Sequence, residues 1–131
     1  MKPWRIHLDD VPEEHQQWSW EDHDYERFRK RISVALGNDR SHPFDVELVR
    51  VPPGAAPCPV HEHSTMWELF IIVSGTGLVH RGDETSTVTT GDCFMQSAGT
   101  RHRVRNASAS EDLVFYVIAN ETLTETVKHL P

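Results

Sequence analysis

His61, His63, Glu68 and His102 are the side chains in this 131-residue sequence whose types and spacing point to chemistry. Residues 54–75 read G-A-A-P-C-P-V-H-E-H-S-T-M-W-E-L-F-I-I-V-S-G, and residues 91–106 read G-D-C-F-M-Q-S-A-G-T-R-H-R-V-R-N. Three imidazoles and one carboxylate are a donor set for one divalent transition metal (Fe, Mn, Ni or Zn), with no thiolate to favour softer ions. In an octahedral site such a set leaves two adjacent positions, where a substrate with neighbouring oxygens chelates or O₂ binds beside it. The ion then acts as a Lewis acid stabilising an enolate, or as a redox centre.

Strand geometry must bring these groups together. Residues two apart on a strand share a face, so His61 and His63 aim at one point. Glu68 follows His63 by five residues, an odd step that sends it to the other face of an unbroken strand. A turn or bulge at 64–66 resets the parity and lets Glu68 open a second strand over 67–73. His102 follows the turn-like run 97–100 and begins another strand. Further strands are expected at 44–51, 77–80, 86–89, 93–96 and 113–119, separated by glycine and polar turns, the pattern of an all-β barrel or sandwich.

The two segments resemble the paired signature motifs of the cupin superfamily. Gly54, His61, His63, Glu68 and Gly75 meet the first motif, and Gly91, Gly99, His102 and Asn106 meet the second. Two departures stand out: six residues separate Gly54 from His61 where the motif has five, and Ser97 replaces a proline. The resemblance implies a small double-stranded β-helix, a jelly-roll barrel of two antiparallel sheets, over residues 44–119. It also implies functions that span sugar-phosphate isomerases, oxalate decarboxylases, dioxygenases and non-catalytic sugar or effector binders. The reading favoured is a metal-dependent enzyme on a small oxygenated metabolite, with isomerase-like enolisation ahead of dioxygenation. A ligand-sensing module with a structural metal is the alternative.

Composition bounds the rest. The length suits one core, and 37% hydrophobic residues suit a water-soluble domain. No apolar run approaches the roughly 20 residues that span a bilayer, and the N-terminus lacks an apolar signal core. A formal charge of −7 argues against nucleic acid or anionic membrane as partner. Two cysteines without a scaffold pattern suggest a reducing, cytoplasmic setting.

Residues 1–43 form a polar N-terminal arm. A capping pair, Ser19 and Asp22, and the near-helical spacing of Tyr25, Phe28, Ile32, Ala35 and Leu36 before Gly37 predict a helix, although 32–34 also suits a strand. Residues 120–131 read as a surface strand or coil. The strand 67–73 is apolar on both faces: Glu68, Phe70 and Ile72 line the interior, with Phe70 a candidate pocket residue. The face carrying Trp67, Leu69, Ile71 and Val73 must be covered by the arm or by a second subunit, hence a homodimer.

Proton-transfer candidates are Tyr116, His80 and Cys58, the last expected near the pocket mouth. Arg101 is the candidate anion contact, while alternation turns Arg103 and Arg105 outward. Cys93 reads as a small core residue. His7, His15, His23, His42 and His129 read as surface histidines.

Overall fold

The computed structural model describes residues 3–37, 43–120 and 125–130; His42 lies outside them. Eleven strands account for most of the described chain: β1 (Glu13–Trp20), β2 (His23–Arg31), β3 (Phe44–Val51), β4 (His61–His63), β5 (Glu68–Ser74), β6 (Thr76–Arg81), β7 (Glu84–Thr89), β8 (Cys93–Gln96), β9 (His102–Asn106), β10 (Leu113–Asn120) and β11 (Val127–His129). They form two antiparallel sheets, ordered β1-β2-β3-β10-β5-β8 and β11-β4-β9-β6-β7. This is the double-stranded β-helix expected from the sequence.

Alternation builds the core. Val49, Val51, Phe70, Ile72, Leu113 and Phe115 project from the six-stranded sheet onto Val79, Val88 and Val104 of the five-stranded sheet. Each such side chain contributes about 1.5–3 kcal/mol on burial.

Of the helix expected over the arm, only its last turn forms, at Ile32–Ala35. Residues 13–31 form a β-hairpin that extends the six-stranded sheet through β2–β3 pairing. Its loop is Glu21-Asp22, with φ of 52° and 63°, the left-handed pair that a two-residue hairpin turn requires. Tyr25, Phe28 and Ile32 mimic helical spacing, but the polar side chains between them find partners across strands. Arg29 pairs with Glu14 on β1 (3.1 Å) and Glu47 on β3 (3.3 Å). Ser19, the expected helix cap, donates to Asp24 across the turn at 2.6 Å. Besides a 3-10 turn at Leu8–Asp10, the arm's helix is α1 (Ile32–Ala35), which packs beside β3 and whose Ser33 hydroxyl donates to Asp45.

Two motif residues have structural work. Gly75 turns the chain from β5 into β6 at φ 89°, and a Cβ there would collide with the Asp112 carbonyl oxygen. Asn106 is fully buried: its Nδ2 donates to the carbonyls of Val51 (2.9 Å), Pro52 (3.1 Å) and Glu111 (2.7 Å), and its Oδ1 accepts from the Ser108 N–H (2.8 Å). One amide thus ties together the ends of β3, β9 and β10.

Because the hairpin lies in the plane of the sheet, it does not cover the sheet's outer face, and no other described segment does. Trp67, Val73 and Met95 are exposed there, with Leu69 and Ile71 half-buried. Cys93 shares this outward face and is exposed, which corrects its core reading. On β8 it is Phe94 and Gln96 that turn inward, so strand parity sends Cys93 out with Met95.

Candidate metal centre

The odd step from His63 to Glu68 is absorbed by a change of sheet. The chain leaves β4 in the five-stranded sheet, turns at 64–67 and enters β5 in the six-stranded one. Glu68 therefore faces the histidines from across the barrel. On β9, His102 lies directly opposite His61. The ligand atoms of His61, His63, Glu68 and His102 all fall within 4.8 Å of one another. Nε2 of His63 and Nε2 of His102 each lie 2.9 Å from the same carboxylate oxygen of Glu68.

The outer nitrogens fix the roles of the inner ones. Nδ1 of His61 meets the Pro59 carbonyl oxygen at 2.9 Å, and Nδ1 of His102 meets the Thr100 carbonyl oxygen at 2.9 Å. A carbonyl only accepts, so both Nδ1 atoms carry the proton. Nδ1 of His63 faces the Glu125 carboxylate at 3.1 Å, with the same consequence. Each ring is thereby left with Nε2 as its potential donor atom toward the centre, the arrangement in which an outer acceptor orients a metal-binding imidazole. These residues fit one divalent transition metal: a cation between the Nε2 lone pairs and the Glu68 oxygen satisfies all of them at once.

Electrostatics agree. Burial, followed by the neighbouring His102, lowers His61 to about 4, so it offers a neutral imidazole at pH 7. Burial alone would lower His63, but contacts with Glu68 and Glu125 outweigh it and raise its pKa. Burial would likewise raise Glu68, yet hydrogen bonds from His102 and His63 hold its carboxyl well below the usual range.

Glu125 was invisible to sequence reasoning: it lies 62 residues from His63, within the presumed tail. Its carboxylate also accepts from the N–H groups of Thr65 (2.9 Å) and Met66 (2.7 Å), pinning the turn between His63 and Glu68. β11 then pairs with β4 and aligns His129 with His61. Replacing Glu125 with glutamine should weaken metal affinity about 10- to 100-fold, the usual cost of losing an outer-shell partner. Competition against a chromogenic chelator measures this, and wild-type affinity would show that His63 needs no such orientation.

The site opens into a cavity of about 330 Å³ lined by His61, His63, Glu68 and Phe70, and also by Trp18, Arg27 and Glu47. Phe70 lies where expected. Cys58 lines the same cavity, with Sγ 3.6 Å from His61 Nδ1, but burial pushes its thiol up to about 12 and keeps it neutral. Tyr116 is not among the lining residues; its neighbours Phe115 and Val117 are, so strand alternation puts Tyr116 on the opposite face. Arg101 is exposed and lies outside the cavity, and His80 lies opposite Arg103 on the outer side of its sheet. Arg103 and Arg105 turn outward as expected, yet are half-buried in a second depression beside Trp20, His23 and Asp24 of the hairpin. His129 remains exposed but borders the metal cavity, which corrects its reading as a plain surface histidine. Arg27 and Glu47 were missed because their inward direction follows only once the hairpin is known.

The sequence profile of the Cupin domain matches residues 47–119, more than half of the chain. The chain is a cupin. No curated protein matches it significantly. Among solved structures, this cupin is similar to a sugar phosphate isomerase of the cupin superfamily from Silicibacter pomeroyi (24% identity, 96% of this chain and 81% of that one, TM-score 0.80). It is also similar to a polyketide cyclase from Streptomyces resistomycificus (18% identity, 97% and 84% covered, TM-score 0.75). A structure from Acidithiobacillus ferrooxidans matches at 22% identity and TM-score 0.70 over 79% of this cupin, which spans 65% of that chain. At these identities the likeness concerns the fold.

Proposed function

We propose that this cupin binds one divalent transition metal through His61, His63, Glu68 and His102 and is an enzyme acting on a small oxygenated metabolite by enolisation-type isomerisation. The observation that carries this reading is the set of three imidazoles, each with its Nδ1 held by an outer acceptor, beside a cavity that His61 and His63 line together with the ionisable Glu47. When bound, the metal supplies Lewis acidity toward substrate oxygens or, as Fe(II), redox capacity.

Proton transfer is the part this chain must provide. Glu47 lines the cavity, and burial raises its carboxyl above the ordinary value despite the nearby Arg29. A carboxyl tuned toward neutral pH is suited to take a proton from one substrate carbon and return it to the neighbouring one. Its presence favours an enzyme over the non-catalytic ligand-sensing module. Cys58, as a neutral buried thiol, acts as wall rather than nucleophile.

Elemental analysis of the purified protein, then anaerobic Fe(II) loading with an oxygen-consumption screen, tests the reading. Equal turnover with Mn(II) or Zn(II) supports isomerisation. Oxygen uptake with Fe(II) alone selects dioxygenation, and tight ligand binding without turnover selects the sensor.

We further propose a homodimer formed through the outer face of the six-stranded sheet. Trp67 is 52% and Met95 45% exposed on that face, and no described segment covers it. A stable interface there would bury on the order of 2,000 Å². Sedimentation at low micromolar concentration should give a dimer, and a monomer would overturn the assignment. Among the described residues no helix is long and apolar enough to cross a membrane. Both cysteines are free, in keeping with the reducing cytoplasm we assign.

A further inference from the structure

Arg27 is a cation in the metal cavity that makes no ion pair with a described carboxylate, although Glu47 and Glu68 lie near enough to favour its charge. Its Nε donates to the neutral amide oxygen of Gln16, its cross-strand neighbour, at 2.6 Å. Its guanidinium carbon sits 5.4 Å from the Trp18 ring centroid, so the indole face holds it in place. The terminal nitrogens make no hydrogen bond or ion pair with any described residue.

The two carboxyl groups on this wall have nearer neighbours than Arg27. Glu47 lies 3.3 Å from Arg29 and 3.9 Å from Arg31, and Glu68 is engaged by His63 and His102. Much of the remaining lining is apolar, including Val49, Phe70, Phe115 and Val117. A lone guanidinium in such a wall is costly unless a ligand neutralises it, and its two terminal N–H groups form a fork that matches a carboxylate.

We propose that Arg27 anchors the carboxylate of a small monoanionic substrate, whose remaining oxygens face the metal ligands in the same cavity. This rests on the metal-dependent reading above and narrows it to small oxygenated carboxylic acids. The substrate class is a hydroxy or oxo acid, with its carboxylate on the Arg27 fork and its second oxygen toward the metal ligands.

The test is calorimetric titration of lactate, its uncharged analogue lactamide, and inorganic phosphate into metal-free and Zn(II)-loaded protein, with zinc content measured for every sample. Lactate should bind the wild-type chain more tightly than either comparison ligand. Arg27→Gln should lose about 10- to 100-fold in lactate affinity, the worth of a charge-assisted hydrogen bond, while zinc content stays at the wild-type level. Arg27→Lys should recover part of the loss. Equal binding of lactate and lactamide, undiminished lactate binding in Arg27→Gln, tighter binding of phosphate, or no lactate binding by either form of the wild type would each overturn the proposal. Failure of the metal reading would appear separately, as absent zinc in the wild-type chain, with the lactate comparison still read in the metal-free protein.

Discussion

His102→Ala should abolish stoichiometric metal binding while leaving a folded barrel. His102 is only 2% exposed, and its Nε2 meets Glu68 while its Nδ1 is fixed on the Thr100 carbonyl. Water cannot restore both the donor and its orientation, so the loss should exceed the roughly 10- to 100-fold expected for an outer-shell change. The core strands do not depend on the ion, so far-ultraviolet dichroism should be retained, unlike in a zinc finger. The pH dependence follows from the shifted imidazoles. His61 is already neutral at pH 7, whereas the raised pKa of His63 lets protons compete with a metal at a higher pH than at an ordinary imidazole. Metal affinity should thus fall on acidification, beginning as pH drops through the raised pKa of His63, by about tenfold per pH unit below it. Elemental analysis across a pH series measures both effects. Full occupancy in the His102→Ala variant would remove His102 from the ligand set.

Asn106→Ala should produce the largest loss of stability of any single change outside the hydrophobic core. It orphans the Val51, Pro52 and Glu111 carbonyls and the Ser108 N–H together, and it leaves a hole where a fully buried side chain stood. Each buried group left without a partner costs about 1–3 kcal/mol, so a total of about 3 kcal/mol or more is expected. Asn106→Asp keeps the shape and the acceptor but loses the donor, and should be nearly as damaging. Urea denaturation of both variants against wild type measures this. A loss below about 1 kcal/mol would mean that the three chain ends are held by other contacts.

These two cases show which parts of the molecule were legible in sequence. His102 and Asn106 both stand at motif positions, but only the histidine declares its role by residue type. An asparagine could equally cap a turn on the surface. The strands at 44–51 and 93–96 were read at their full extent because alternation and flanking turns coincide there. The hairpin was hidden for a local reason: its turn is Glu21-Asp22, without the glycine that usually marks φ > 0 in such loops. Arginines that look helical in spacing prove to be cross-strand partners, and Arg27 could not be placed in the cavity until that was known. Glu125 had no local signal. Its role exists only because β11 pairs with β4, a contact between segments more than sixty residues apart.

The position of Glu125 has a consequence for the order of events during synthesis. The ribosome delivers His61, His63, Glu68 and His102 before the residue that orients His63 and staples the 64–66 turn. A nascent chain therefore holds all its donor atoms while the cage is still loose, and tight capture waits for the last strand to zip onto β4. A metal held at this site would then be selected only after β11 has paired with β4, and an ion taken up earlier would be easier to exchange. Clipping the chain before residue 125 would return a finished protein to that permissive state.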